Sequence, residues 1–144
     1  MARQDACTLL DADHNEVIGM FEQYKAAHDA RRHELLASQI AQNLLVHMQI
    51  EEEIFYPAFQ RATGDQSLLQ QSVKEHDEAR ELIARIEQDR QNAKLMLELE
   101  DNVLDHVNDE REKMFPKARA TPAMDLMKLA DQLEARKSEL MAAA

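Results

Sequence analysis

The sequence is short of the residues that break helices, with two glycines and three prolines in 144 positions. Tryptophan is absent and aromatics make up only 4%, so leucine, methionine and alanine must fill the core. Cysteine is reduced to Cys7 alone. A single thiol excludes an intramolecular disulfide and a thiolate metal cluster within one chain, and it suits a reducing compartment. Basic side chains are in deficit, 17 against 28 acidic ones, for a formal net charge of −11. Such a surface repels a phosphate backbone, which argues against nucleic acid as a partner. It favours accumulation of metal cations, but as a general field rather than a site. No run of about 18 apolar residues is available to span a bilayer, and the N-terminus lacks the basic-then-apolar layout of a signal peptide. A cytoplasmic protein with no membrane partner is the expectation.

What remains is the vocabulary of helices, dominated by Ala, Leu, Glu, Gln, Met and Arg. The length predicts one domain, residues 1–144, with a real core. A first helix is read from Thr8, whose spacing to Asp11 resembles a capping box, to about Ala30. Its apolar stripe is Leu10, His14, Val17, Phe21 and Tyr24. After a polar turn at Asp29 to Arg32, a second helix reaches about Ala62, with Gly64 as its stop and Asp65 or Ser67 as the next cap. The third carries Leu69, Val73, His76, Ile83 and Ile86 on one face and fades near Arg90 to Asn92. The fourth runs from about Ala93 to Ala118. Thr121 as N-cap and Pro122 at the first helical position predict a fifth, amphipathic helix over about 121–142. Short connections favour antiparallel neighbours, so the fold class is all-α: an up-down-up-down four-helix bundle with an additional C-terminal helix.

Two segments of this pattern repeat each other 59 residues apart. Leu36, Ile40, Leu44, His47, Glu51, Phe55 and Pro57 correspond in turn to Leu95, Leu99, Val103, His106, Glu110, Met114 and Pro116. Each His-x3-Glu lies on an apolar stripe, and each histidine precedes a proline by ten residues. Each proline removes a backbone donor and is expected to kink or end its helix just past that turn.

Of the six histidines, His28 and His33 sit in polar surroundings and read as solvated. His14, His47, His76 and His106 lie one per helix on four apolar stripes. Burying four imidazoles and two carboxylates at one level is costly unless they satisfy one another or hold a cation. Residues four apart are separated by about 40° around a helix and about 6 Å along it, so each histidine and its glutamate can address one cluster. Four His and two Glu are too many for one tetrahedral zinc site, and suit two metal ions with two carboxylate bridges. Iron accepts such ligands well, with manganese and zinc as weaker candidates. Glu52, Glu53 and Glu112 read as a solvated charge run, and Tyr24 and Tyr56 as packing residues.

His14, then His47-x3-Glu51, then His76, then His106-x3-Glu110 resembles the haemerythrin-like family of HHE cation-binding domains, over about residues 8–118. The resemblance implies a non-haem di-iron centre inside the bundle, two iron ions joined by an oxo or hydroxo bridge. By position, His14 and His47 would serve one iron, His76 and His106 the other, and Glu51 and Glu110 would bridge them. Two departures stand out. Oxygen-carrying haemerythrins have a His-x3-His pair on the third helix, whereas Arg80 follows His76 here. They have a His-x4-Asp on the fourth, whereas here the carboxylate is Glu110 and position 111 is Arg. Arg80 reads as reaching outward to solvent, with a place beside a bound anion as the other option.

The leading functional expectation is a di-iron protein that binds or reacts with oxygen, peroxide or nitric oxide, as a redox-, oxygen- or iron-responsive protein or a peroxide-consuming enzyme. With the fifth histidine missing, open positions weaken the case for reversible oxygen carriage. The fifth helix could cover an open end of the bundle or mediate homodimerisation. The competing expectation, from another class, is a metal-free helical interaction module with polar core histidines. Metal storage in the ferritin manner is disfavoured, because those bundles use Glu-x2-His spacing.

Overall fold

The computed structural model describes residues 4–143, and among them helices are the only regular structure. Five rods follow one another. The first is α1 (Ala6–Ala26). The second joins α2 (Ala30–Ile50) through a π-turn (π1, Glu51–Phe55) to α3 (Tyr56–Thr63). The third is α4 (Gln66–Gln88), and the fourth joins α5 (Ala93–Asp109) through a second π-turn (π2, Glu110–Met114) to α6 (Phe115–Arg119). α7 (Leu126–Ala143) is the fifth, and it lies along α1 and α2. The predicted bundle with an additional C-terminal helix is the observed architecture.

Caps explain where the rods begin. The carboxylates of Asp5, Asp29 and Asp65 accept from the N–H groups of Thr8, Arg31 and Leu68, and the Asn92 side chain accepts from Leu95. Each such cap contributes about 1 kcal/mol by satisfying a donor the helix leaves unpaired. Gly64 ends the second rod at φ 70, a left-handed position that suits a residue without Cβ.

Several expected boundaries shift. α1 starts at Ala6 because Asp5, not Thr8, is its cap, and it ends at Ala26 rather than Ala30. Thr121 does not cap the last helix, because its hydroxyl donates back to the Lys117 carbonyl at 2.7 Å. The chain turns through Met124 N–H to the Thr121 carbonyl. Asp125, accepting from Lys128 N–H, then precedes α7. Val73 faces outward, and Ser72, Glu75 and Ala79 take the inner face of α4.

Neither proline ends its helix. Pro57 and Pro116 cannot donate, and their rings crowd the carbonyl four residues back. The turn ahead of each loosens instead: Tyr56 N–H reaches the Glu51 carbonyl and Phe115 N–H the Glu110 carbonyl, five residues away. The 59-residue echo in sequence is therefore also an echo in backbone geometry.

Two apolar clusters make up the core. One contains Val17, Phe21, Ile40, Leu44, Met96, Leu99 and Val103. The other contains Leu10, Ile50, Phe55, Phe59, Met114, Phe115 and Leu133. The switch from one cluster to the other falls at His14 along α1 and between Met48 and Ile50, beside His47 and Glu51, along α2, so a polar layer is sandwiched between them.

Candidate metal centre

All six sequence-derived candidates, His14, His47, Glu51, His76, His106 and Glu110, are buried in this layer, and both glutamates have no exposed surface. Their inner atoms converge. His14 Nε2 lies 3.0 Å from Glu110 Oε1, and His106 Nε2 lies 3.0 Å from the same oxygen. His47 Nε2 and His76 Nε2 lie 3.2 and 3.1 Å from Glu51 Oε1. Two sets of donor atoms each fall within 4.8 Å of one another: His14, His47, Glu51 and Glu110, and Glu51, His76 and His106. Glu51 belongs to both.

The outer ring nitrogens are as uniform as the inner ones. Nδ1 of His14 contacts Asp11 at 2.9 Å, that of His47 Asp13 at 3.0 Å, that of His76 Glu52 at 2.6 Å, and that of His106 Glu75 at 2.8 Å. A neutral imidazole that donates its Nδ1–H to a carboxylate presents Nε2 as a lone pair, which is the tautomer a metal requires. Three of these carboxylates are backed in turn by cations. Arg111 Nε donates to Asp11 at 2.6 Å, Lys137 Nζ to Asp13 at 2.6 Å, and Arg80 Nη2 lies 2.9 Å from Glu52. Glu75 instead accepts from the Gln71 amide at 3.2 Å.

These contacts follow the order of the chain. His47 reaches back to the first rod, His76 to the second and His106 to the third, while Arg111 of the fourth rod closes onto Asp11 of the first. A ring of carboxylate contacts thus encircles the layer.

Electrostatics favour positive charge inside it. Burial alone would lower the His47 pKa, yet Glu51 and Asp13 outweigh it and push it up to about 10. His106 is raised well above the usual imidazole range against its burial, by Glu110, Glu51 and Glu75. His76 is raised likewise by Glu51 and Glu52. Burial disfavours the Glu51 carboxylate, but His47 and the surrounding hydrogen bonds hold it well below the ordinary range. A carboxylate pair that draws protons onto neighbouring imidazoles offers the same attraction to a metal cation.

The donor set fits such an ion. His47 Nε2 and Glu51 Oε2 are buried without a hydrogen-bond partner. The 3.2 Å separation of His47 Nε2 from Glu51 Oε1 is close in distance but misaligned for a hydrogen bond. Unpaired buried polar atoms are rare, and both of these are atoms that ligate metals.

Several residues depart from their expected roles. Tyr56 does not merely pack: its hydroxyl lies 3.2 Å from Glu51 Oε1, Glu110 Oε2 and His76 Nε2, and 3.5 Å from His106 Nε2. Glu52 turns inward to His76, and Arg80 follows it rather than solvent. His33 is no free surface residue, since its Nε2 contacts the Tyr24 and Ala27 carbonyls at the end of α1. Asp11, read from sequence as a capping partner of Thr8, instead contacts His14 and Arg111, and Asp13 and Glu75 were not singled out. Asp11 carried a signal, three residues before His14 on the same helix face. Asp13 and Glu75 serve histidines on other rods and carried none.

A cavity of about 30 Å3 adjoins the layer, walled by Val17, Leu44, Met48, Ala79, Val103 and Val107 beside the four histidines. Fold and layer together define an all-helical bundle with a buried histidine–carboxylate centre able to hold cations. The family model described as Hemerythrin HHE cation binding domain matches residues 5–118, and the chain belongs to that family. The fold is similar to the crystal structure of a Hemerythrin HHE cation binding domain-containing protein from Mycobacterium kansasii. The TM-score is 0.81 at 21% identity, over 97% of this chain and 89% of that one. No curated protein matches the sequence. No helix among the described residues is long and apolar enough to cross a membrane.

Proposed function

We propose that this chain is a non-haem di-iron protein that binds or reacts with a small ligand, namely oxygen, peroxide or nitric oxide. The observation that carries the reading is the common polarity of the four imidazoles. Each is engaged by a carboxylate at Nδ1 and turns Nε2 toward Glu51 and Glu110. In this reading His14, His47, Glu51 and Glu110 would hold one ion, and His76 and His106 with Glu51 the other. Glu110 Oε1, 3.0 Å from His106 Nε2, borders the second set without belonging to it. Imidazole with carboxylate is a ligand set that iron accepts well. Iron held there would supply a redox-active Lewis acid for the incoming ligand.

The chain's own groups define what can arrive and what it meets. A cavity of about 30 Å3 admits a water, a diatomic or peroxide. It is far below the roughly 300 Å3 or more of an organic-substrate pocket. In the metal-free layer Tyr56 keeps its proton, because burial and the carboxylates of Glu110 and Glu51 raise its pKa well above the usual phenol value. Its hydroxyl is therefore placed to donate a hydrogen bond or a proton in the middle of the layer. Position 80 contributes no imidazole, since Arg80 is committed to Glu52. With two histidines in each half and a proton donor between them, the arrangement favours reaction with the ligand over its reversible carriage.

Reconstitution with ferrous iron in the absence of oxygen tests the reading. Two ions per chain are expected, and admitting oxygen or peroxide should produce near-ultraviolet charge-transfer bands. Fewer than one tightly bound ion, or undiminished binding in the His47→Ala, His106→Ala double variant, would overturn it. Peroxide consumption in the same sample separates an enzyme from a binder.

A further inference from the structure

We propose that Lys137, on α7, is a positioning residue for the candidate metal centre, acting through Asp13 to fix the imidazole of His47. The proposal rests on the di-iron reading and adds to it an element outside the family match, which ends at residue 118.

The inner side of His47 is what makes the outer side matter. His14 Nε2 is hydrogen-bonded to Glu110, and His76 Nε2 and His106 Nε2 to the Tyr56 hydroxyl and to each other. His47 Nε2 has no such bond. Its ring is therefore oriented by Asp13, whose Oδ2 contacts Nδ1 at 3.0 Å. A carboxylate held at one oxygen can still swing about its own stem. Asp13 is held at both, because Lys137 Nζ donates to Oδ1 at 2.6 Å. The Asp13 side chain is 11% exposed, so water competes little for either oxygen.

The path of α7 explains why a lysine arrives there. Leu129, Ala130 and Leu133 are buried and seat the helix on the bundle. Lys137 follows Leu133 by one turn and so projects from the same face. Next to it, Arg136 pairs with Glu53 in π1 at 2.9 Å. The two neighbours grip different rods: Arg136 docks the helix, and Lys137 engages the shell of the centre. Lys137 and Asp13 also both line the cavity beside His47.

Two kinds of contact call for variants at both positions. Protein loaded with two ferrous ions without oxygen is mixed with a ferrous-specific chelator, and the two release rates are followed for wild type, Lys137→Met, Lys137→Arg and Arg136→Met. Removal of a partner behind a metal-bound histidine weakens metal binding by about 10–100-fold. Lys137→Met is expected to speed release of one ion about tenfold and leave the other unchanged. Lys137→Arg, which can still donate to Asp13, should restore the wild-type rate. Arg136→Met should leave both rates as in wild type. Unchanged rates in Lys137→Met would overturn the assignment, as would equal acceleration of both ions in Lys137→Met and Arg136→Met alike, which would make α7 a packing element. Wild-type protein that holds no iron would overturn the di-iron reading and this assignment together. Wild type with two ions beside an unaltered Lys137→Met overturns this assignment alone.

Discussion

Tyr56 and Phe115 stand at the same point of the two repeated segments and differ by one hydroxyl group. The Tyr56 ring stacks on His76 with centroids 5.4 Å apart at 22°, and Phe115 stacks on His14 at 6.0 Å and 18°. Repetition has built two half-sites of one shape and unequal polarity. The hydroxyl reaches Glu51, Glu110 and His76, while the phenyl offers those groups no donor.

Tyr56→Phe isolates that hydroxyl. The fold and both metal ions should be retained, with about 1 kcal/mol lost from stability as buried acceptors lose a donor. Reaction with peroxide or oxygen should slow by about 100-fold or more if the hydroxyl transfers a proton. Stopped-flow absorbance on the iron-loaded variant measures this, and a wild-type rate would reduce Tyr56 to a packing role.

The two buried glutamates should not be equivalent. Glu51 belongs to both sets of donor atoms and Glu110 to only one of them. Glu51→Gln is expected to lose both ions, and Glu110→Gln to keep one. Metal analysis after gel filtration reads the difference, and equal losses would contradict the pivotal place of Glu51.

Metal loading should depend on pH in a defined direction. His47 is pushed up to about 10, so at neutral pH an ion must displace its proton. Affinity should rise with pH toward that value, with protons released on binding. Titration calorimetry in buffers of different ionisation enthalpy counts those protons.

The metal-free protein should show the opposite trend on the alkaline side. A folded-state pKa above the ordinary 6.5 means that His47 contributes its full stability below about pH 6.5 and loses it as pH rises toward 10. Glu51, held below the ordinary 4.5, contributes fully above about pH 4.5 and loses its contribution in acid. Melting temperatures of chelator-treated protein should therefore decline above pH 6.5, and iron loading should flatten that decline.

Much of this molecule was legible in its sequence, for a physical reason. The 3.6-residue stripes, the Asp65 cap and Gly64 are local signals, and they gave the rods and placed the four histidines on inner faces. The six candidate residues could be picked out because four of them belong to the 59-residue repeat and His14 and His76 each lie on the apolar stripe of their own helix. Tyr56 escaped because periodicity assumes a uniform helix. Five residues along an α-helix place it about 140° around from Glu51. The extra residue in the π-turn brings it back to the same side. The partners of the outer ring nitrogens escaped because three of the four lie on a different rod from their histidine. In a charge run such as Glu51, Glu52 and Glu53, nothing local says that one carboxylate faces a neighbour's imidazole.

The ring of carboxylate contacts around the layer also bears on how the protein fails. No ligand-bearing rod holds its histidine unaided: three histidines borrow an acceptor from the rod before them, and the fourth is steadied from the fourth rod through Asp11 and Arg111. Damage to any one helix is therefore passed around the hoop to ligands it never touches. Unfolding of the bundle should accordingly release both ions in one step, and retained metal becomes a gauge of whether the whole bundle is assembled.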